Sequence, residues 1–510
     1  MDKKIKLFFK NIDTKNLSSK ELQKLKIQFA KKNHLKDLPL TSDILANLKI
    51  KKPTSTFITK PGRTQSGVTI IAVMTKPDKC PGKCIYCPSY KGAPKSYTGF
   101  EPAAMRGKNN NFDPYKQIKD RLKQLSDTGH PTNKIELIVM GGTFPATELK
   151  YQKKFMIGIY QAITDSKENN LEKLKKIAMT SKRRMVGLTF ETRPDYCDND
   201  IIKRLLSYGG TRVELGVQTT DNSVFKKIKR GHTTKEVIEA TKRLKDSGFK
   251  VLYHMMIGLP RSNLKKDYKM FKDIFENSDY CPDMLKIYPC LVTKNTVLEK
   301  MYYSGAYKTY NEKDVINLIA DVKEKIVPEW VRIMRIQRDI PANKIIAGIQ
   351  KSNLRELVQK ELNQRHAKCN CIKCNEPINH KINFENNYEI KKIEYKASDG
   401  REIFIFAKIN GYLLGFIRLR LPYKPFIKEL KEKTSIVREL HIYGQATEFN
   451  DQNIQHRGIG KELLKEAEKY SLKHKFTKIA VISGIGVREY YKTQKYKLIG
   501  SYMIKNLKND

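Results

Sequence analysis

The 510-residue chain has no run approaching the roughly 18 consecutive apolar residues that span a membrane. Its Lys-rich beginning lacks the apolar core of a secretory leader. These absences exclude a helical membrane protein and a secreted one, and the expectation is a cytoplasmic protein. Acids are scarce: 54 Asp and Glu stand against 99 Lys and Arg, a formal charge of +45. Tryptophan occurs once. Disorder is excluded as well, because strongly apolar segments recur along the whole length, enough for roughly two to four cored domains.

A positive surplus of this size draws polyanions by counterion release. Residues 1–60 hold fifteen Lys and five acids, with Leu22, Leu25, Ile27 and Phe29 at helix-like spacing. A basic helical arm fits nucleic acid, and a solvated face in a lysine-enriched chain is the plainer reading. Charge alone does not separate RNA from DNA.

Cysteine is also sparse, and six of the nine fall in two clusters. Disulfides do not suit a cytoplasmic chain, so this spacing points to metal. Cys80, Cys84 and Cys87 form C-x3-C-x2-C. Three thiolates can hold three irons of a 4Fe–4S cluster, and no fourth cysteine lies nearby to close it. The open iron can chelate S-adenosylmethionine, whose one-electron cleavage yields a 5′-deoxyadenosyl radical. A zinc knuckle lacking its histidine is the alternative. Cys369, Cys371 and Cys374 form C-x-C-x2-C and suit a structural zinc, with His366 or His380 as the nearest fourth ligand. Cys197, Cys281 and Cys290 stand alone as buried structural thiols.

Apolar, strand-like runs at 68–74, 135–140, 185–190, 212–217, 251–257 and 284–288 alternate with helical stretches such as 222–247. Repeated β-α units imply a parallel sheet, here a partial (β/α) barrel. Every chemically suggestive element follows the C-terminal end of a strand, where such barrels place their chemistry. The Cys loop follows the first strand, Gly141-Gly142-Thr143 the second, and Glu191 and Arg193 the third. Gln218 ends the fourth, Gly258-Leu259-Pro260 ends the fifth, and Lys286 and Tyr288 lie on the sixth. Bare glycine backbone can receive a methionine amino group, and Glu191 and Arg193 suit ribose hydroxyls and a carboxylate. A structural Glu191–Arg193 ion pair is the alternative. Lys286 sits in an apolar strand, where a buried ammonium needs a partner or a task.

The cysteine triplet, Met140-Gly141-Gly142-Thr143-Phe144, the run Phe190-Glu191-Thr192-Arg193-Pro194-Asp195 and Glu214-Leu215-Gly216-Val217-Gln218 together resemble the radical S-adenosylmethionine domain of the Elongator catalytic subunit family. Ser96-Tyr97-Thr98-Gly99-Phe100-Glu101-Pro102 also resembles that family. The gap between the first two cysteines is shorter than is usual there.

From about residue 384 the texture changes to antiparallel-type strands at 403–409, 413–419 and 436–443. Gln455-His456-Arg457-Gly458-Ile459-Gly460-Lys461 then opens a helix at 462–473, followed by a strand at 479–483. A glycine turn at a helix start offers bare N–H groups to a pyrophosphate. The order resembles the acetyltransferase (GNAT) fold that binds acetyl-CoA. That likeness implies cofactor contacts from Gln455, Gly458, Ile459, Gly460 and Lys461. It adds backbone contacts from Leu440, His441, Ile442 and Tyr443, with their side chains as core. Tyr490 or Tyr491, the latter preferred, would contact the cofactor or protonate its departing thiolate.

The reading is therefore α/β throughout: a basic helical arm over 1–62, a radical-type barrel over 63–335, a Cys-rich zinc linker over 336–383 and a GNAT domain over 384–510. The family resemblance covers roughly 60–510. It implies a carboxymethyl group installed at C5 of the wobble uridine of tRNA from acetyl-CoA, with an external electron donor. By position it assigns Lys134 to acetyl-CoA and Lys286 to the radical pocket. It implies a homo-dimer or a larger complex as the assembly. The alternative is a protein lysine acetyltransferase with a structural cluster.

Overall fold

The computed structural model describes residues 2–508 apart from 11, 15, 49, 51–53, 61, 63, 65, 378–387 and 444–457. The chain begins with helices Asp2–Phe9, Ser19–Lys32 and Thr41–Leu48. Ser18 and Glu21 start the second by satisfying each other's backbone N–H in a capping box. Ile5, Phe9, Leu22, Phe29 and Ile44 close a small core of their own, so the basic helical segment is a folded layer. Ile27 is 41% exposed. It lies about 140° round the helix from Leu22, whereas Phe29, seven positions on, shares the face of Leu22.

Seven parallel strands follow: β1 (Thr69–Met74), β2 (Lys134–Met140), β3 (Arg184–Thr192), β4 (Arg212–Gln218), β5 (Lys250–Ile257), β6 (Met284–Pro289) and, across β7 (Val292–Thr293), β8 (Arg332–Ile336). The sheet runs β1-β2-β3-β4-β5-β6-β8, each strand beside its predecessor, as an open half-barrel with helices between strands. Both faces of such a sheet are covered, which is why its strands read as nearly continuous apolar runs. β8 escapes that pattern because arginines punctuate Arg-Ile-Met-Arg-Ile. The helical stretch at 222–247 is two helices, Asn222–Lys227 and Thr234–Asp246, parted by a turn through Gly231 at φ +81°. β9 (Ile345–Ala347) pairs with β7, and helix Leu354–Gln364 leads to the second cysteine cluster.

The second domain is a seven-stranded sheet: β10 (Glu389–Ala397), β11 (Gly400–Ile409), β12 (Tyr412–Leu421), β13 (Thr434–Ile442), β14 (Lys478–Val481), β15 (Lys497–Ile499) and β16 (Tyr502–Asn506). Its pairs are antiparallel except β13 with β14, which the helix Ile459–Lys473 joins as a β-α-β unit. Leu463, Leu464, Ala467 and Tyr470 form that helix's buried face.

Buried charge joins the domains. Arg438 on β13 donates to both oxygens of Asp283, just before β6, at 2.6 and 2.7 Å, and to Glu402 on β11 at 2.7 Å. Arg420 on β12 reaches Asp246 at 2.6 Å and Glu402 at 2.9 Å, while Lys245 lies 3.5 Å from both Asp283 and Glu402. None of these six side chains is more than 2% exposed. Beside them backbone meets backbone: a Cβ at Gly484 would collide with the Val186 carbonyl, and one at Gly486 would lie 2.6 Å from Met185 N. The cysteine connector ties the domains a second time, through Ile372 N to Val331 O at 2.9 Å and Leu413 N to Asn375 O at 2.8 Å.

Removing one partner of a buried ion pair leaves an uncompensated charge, so Asp283→Asn should destabilise the chain by about 3–5 kcal/mol in urea unfolding. Burial pushes the Asp283 carboxyl up, but Arg438 and Lys245 more than reverse this and hold it below its ordinary range. Its stabilisation is thus complete above the unfolded aspartate pKa of about 3.9 and is lost as pH falls below it. The melting temperature of the wild type should drop below about pH 4, and the Asn variant should show a smaller drop.

Candidate functional site

The C-terminal ends of the barrel strands share one rim, and the segments leaving it converge. Cys80, Cys84, Cys87, Gly142, Thr143, Glu191, Arg193, Gln218, Lys286 and Tyr288 all line one pocket there. Gly141 does not. It sits at φ +128° with a would-be Cβ in collision with Thr75 Oγ1, so its role is close approach of the β1 and β2 ends. Cys84 and Cys87 are buried, and each sulfur of the triplet has its own neighbour. Cys80 Sγ is 4.0 Å from Thr143 Oγ1, Cys87 Sγ is 3.2 Å from Ser96 Oγ, and Cys84 Sγ is 3.3 Å from Arg230 Nη1. A hydrogen bond from Cys87, with the Arg230 and Arg193 charges, outweighs burial and pulls the Cys84 thiol down to about 5.

Glu191 and Arg193 do not pair with each other. Glu191 accepts from Tyr97 OH at 2.8 Å and faces Lys286 Nζ at 3.6 Å. Arg193 grips Asp195 through Nε and Nη2 at 2.9 Å each, and Nη2 also donates to Arg230 O at 2.9 Å. Its Nη1 is buried without a partner, as is Gln218 Oε1. Both belong to residues lining the pocket. Lys286 pairs with Glu214, which also bonds His254 Nε2 at 2.8 Å. Burial opposes the Lys286 charge, but Glu214, Tyr288 and Glu191 raise its pKa above the ordinary lysine value. Carboxylate oxygens of Glu191 and Glu214 and a His254 nitrogen lie within 4.8 Å of one another, with the Lys286 ammonium as their cation.

A second convergence lies at the start of helix Ile459–Lys473. Gly458 caps it at φ +86°, Lys461 is exposed, and a Cβ on Gly460 would lie 3.4 Å from Tyr490 OH and 3.5 Å from Ile442 Cγ1. Gln455 lies outside the described residues. Tyr490, not the preferred Tyr491, therefore faces the glycine turn. Tyr491 packs edge-on against Tyr490 and Tyr496 in the core, because successive helix positions point about 100° apart. Strand alternation splits 440–443: Leu440 and Ile442 pack toward the domain core, while His441 meets Ser66 O at 3.2 Å and Tyr443 OH accepts from Arg332 at 2.7 Å. Lys134 opens β2, at the barrel end opposite the cysteine loop, and burial lowers its pKa.

Cys369, Cys371 and Cys374 bring their sulfurs within 4.8 Å of one another. His366 does not join them. It occupies a left-handed turn at φ +54° just after the helix and is not part of the ligand group. His380 lies outside the described residues. Cys197, Cys281 and Cys290 are buried, each with its thiol pushed up by burial.

Sequence reasoning did not single out Tyr97, Glu214, His254 or Arg230. Tyr97 and Glu214 stand within motifs quoted for the family, whereas His254 and Arg230 carry no spacing signal. The donor set fits a site-differentiated iron–sulfur cluster with an anionic partner: three thiols, one of low pKa, beside a buried guanidinium with a free N–H.

Known families match in the same order. The Radical SAM superfamily matches residues 74–274, the Radical_SAM C-terminal domain 282–364 and the Acetyltransferase (GNAT) family 373–496. The chain is 50% identical over 467 residues to a Methanocaldococcus jannaschii protein named tRNA uridine(34) acetyltransferase, covering 88% of this chain and 86% of that one. It is 38% identical over 515 residues to Homo sapiens Elongator complex protein 3, covering 96% and 93%. The solved structure of archaeal Methanocaldococcus infernus Elp3, with an N-terminal deletion, superposes at TM-score 0.78 and 44% identity, covering 87% of this chain and all of that one.

A Cβ at Gly82 would collide with Arg193 Nη1. Gly82→Ala should therefore turn that guanidinium aside and, on the assignment of Arg193 to the S-adenosylmethionine carboxylate, weaken its binding about tenfold, the scale of one charged hydrogen bond, while acetyl-CoA binding stays unchanged in equilibrium dialysis.

Proposed function

Because the chain belongs to the family of tRNA uridine(34) acetyltransferases and Elongator complex protein 3, with radical S-adenosylmethionine and GNAT domains, we propose that it installs a carboxymethyl group at C5 of the wobble uridine of tRNA. The observation that carries this reading is a single chain holding both a cysteine-lined pocket and a glycine turn at a helix start, in two domains joined by buried ion pairs. When bound, the cluster and S-adenosylmethionine supply a radical able to take a methyl hydrogen from the acetyl group, so that carbon adds at the C5–C6 double bond, which simple acylation does not reach; loss of the C5 proton and of one electron, returned to the external redox partner, then restores that double bond.

Cys80, Cys84 and Cys87 would hold three irons. Gly142, Thr143, Glu191, Arg193 and Gln218 would hold S-adenosylmethionine, with Arg193 Nη1 as the donor free for its carboxylate. Lys286, held in charge and place by Glu214 and Glu191, presents its ammonium to a substrate carbonyl oxygen. Gly458, Gly460, Lys461 and the 440–443 strand would receive acetyl-CoA, with Tyr490 beside the turn to protonate the departing thiolate and Lys134 as a further contact. Thioester hydrolysis then leaves the carboxylate. The connector cysteines would hold a structural zinc; among the described residues no fourth His, Cys, Asp or Glu joins them. The basic layer over 1–62 grips tRNA, an external donor supplies the electron, and the work takes place in the cytoplasm.

Anaerobically reconstituted protein given dithionite, S-adenosylmethionine, acetyl-CoA and tRNA should release 5′-deoxyadenosine and modify the tRNA. Cys84→Ala should abolish both products and leave acetyl-CoA binding intact. Unchanged tRNA alongside acetylated lysine peptides would overturn the reading. Affinity for tRNA should fall steeply between about 50 and 200 mM salt. Cys371→Ser should lose one equivalent of zinc by elemental analysis, and a wild type without zinc would refute that assignment.

A further inference from the structure

We propose that Arg230 sets the redox poise of the cluster site, as a positioning residue that donates a charged hydrogen bond to the sulfur of Cys84. This role presupposes the cluster assigned above to Cys80, Cys84 and Cys87.

Arg230 is 6% exposed and lies in the turn between the helices Asn222–Lys227 and Thr234–Asp246. Its Nη1 is 3.3 Å from Cys84 Sγ, and its Nη2 donates to Gly216 O on β4. β4 is bare at that point: a Cβ on Gly216 would lie 2.6 Å from Nη2. The turn and the cysteine loop are also joined by backbone, with Ile85 N donating to Ile228 O at 3.1 Å. The guanidinium is thus anchored to the sheet on one side and to the loop on the other, and its contact with the sulfur is not a chance rotamer.

The three sulfurs are unequal. Those of Cys80 and Cys87 face hydroxyls, whereas that of Cys84 faces a cation. Adding an electron to an iron–sulfur cluster increases negative charge on its sulfurs, so a charged N–H donor stabilises the reduced state more than the oxidised one. Burial keeps solvent from screening that preference. Arginine is suited to it because it stays protonated in any such site. A second guanidinium at the rim, Arg193, keeps Nη1 free, so these two arginines divide the work: one toward the cluster, one toward the pocket.

The test is an EPR-monitored redox titration of the reconstituted full-length protein, with iron and sulfide assayed alongside. In Arg230→Met the ratio of reduced to oxidised cluster at a fixed potential should fall about tenfold, a midpoint about 59 mV more negative for one electron. Arg230→Lys, which keeps the charge, should fall between the two. Gly216→Ala keeps the arginine but displaces Nη2, and should shift the midpoint in the same direction. That variant carries the test if Arg230→Met takes up too little iron to titrate. An unshifted midpoint in iron-replete Arg230→Met or Gly216→Ala would overturn the proposal. A wild type with no cluster signal would instead overturn the cluster assignment itself.

Discussion

Arg438 and Asp283 face each other across the boundary between the two domains with neither side chain exposed, and Glu402, Lys245, Arg420 and Asp246 complete the set. Ions stripped of water in this way are tolerable only when every charge has its partner in place, so the network admits one docking of the acetyltransferase sheet on the barrel. Everything downstream inherits that docking. It sets Tyr443 against Arg332 and His441 against Ser66, and so fixes where the glycine turn stands relative to the barrel.

The same rule operates on a smaller scale at the rim. Lys286 is tolerated inside the barrel because Glu214 and Glu191 neutralise it, and Glu214 because Lys286 and Arg212 do the same in return and His254 hydrogen-bonds it. Rigid, mutually satisfied charges of this kind offer a substrate fixed dipoles in place of reorganising water.

Six of the seven barrel strands and every strand-end element were legible as a 2-residue or continuous apolar pattern followed by glycine, cysteine or charge. β8 was not, because Arg335 points into the pocket and interrupts the run. Glu214 and His254 stand 40 residues apart, and Lys286 and Glu214 stand 72 apart. Their meeting depends on parallel register, which one sequence does not display. Arg418 and Arg420 alternate with apolar residues exactly as a solvated sheet face would, yet that face is the one that docks. Choosing between Tyr490 and Tyr491 required the phase of a six-residue helix. The linker histidine failed for a plainer reason: nearness in sequence to three cysteines says nothing of direction.

The bare backbone at Gly484 and Gly486 lies so close to Val186 and Met185 that no side chain fits between the two domains there. Under the proposed function, an acetyl group passing from the glycine turn to the cysteine-lined pocket would travel on something with its own reach, such as the long flexible arm of a coenzyme or the substrate itself.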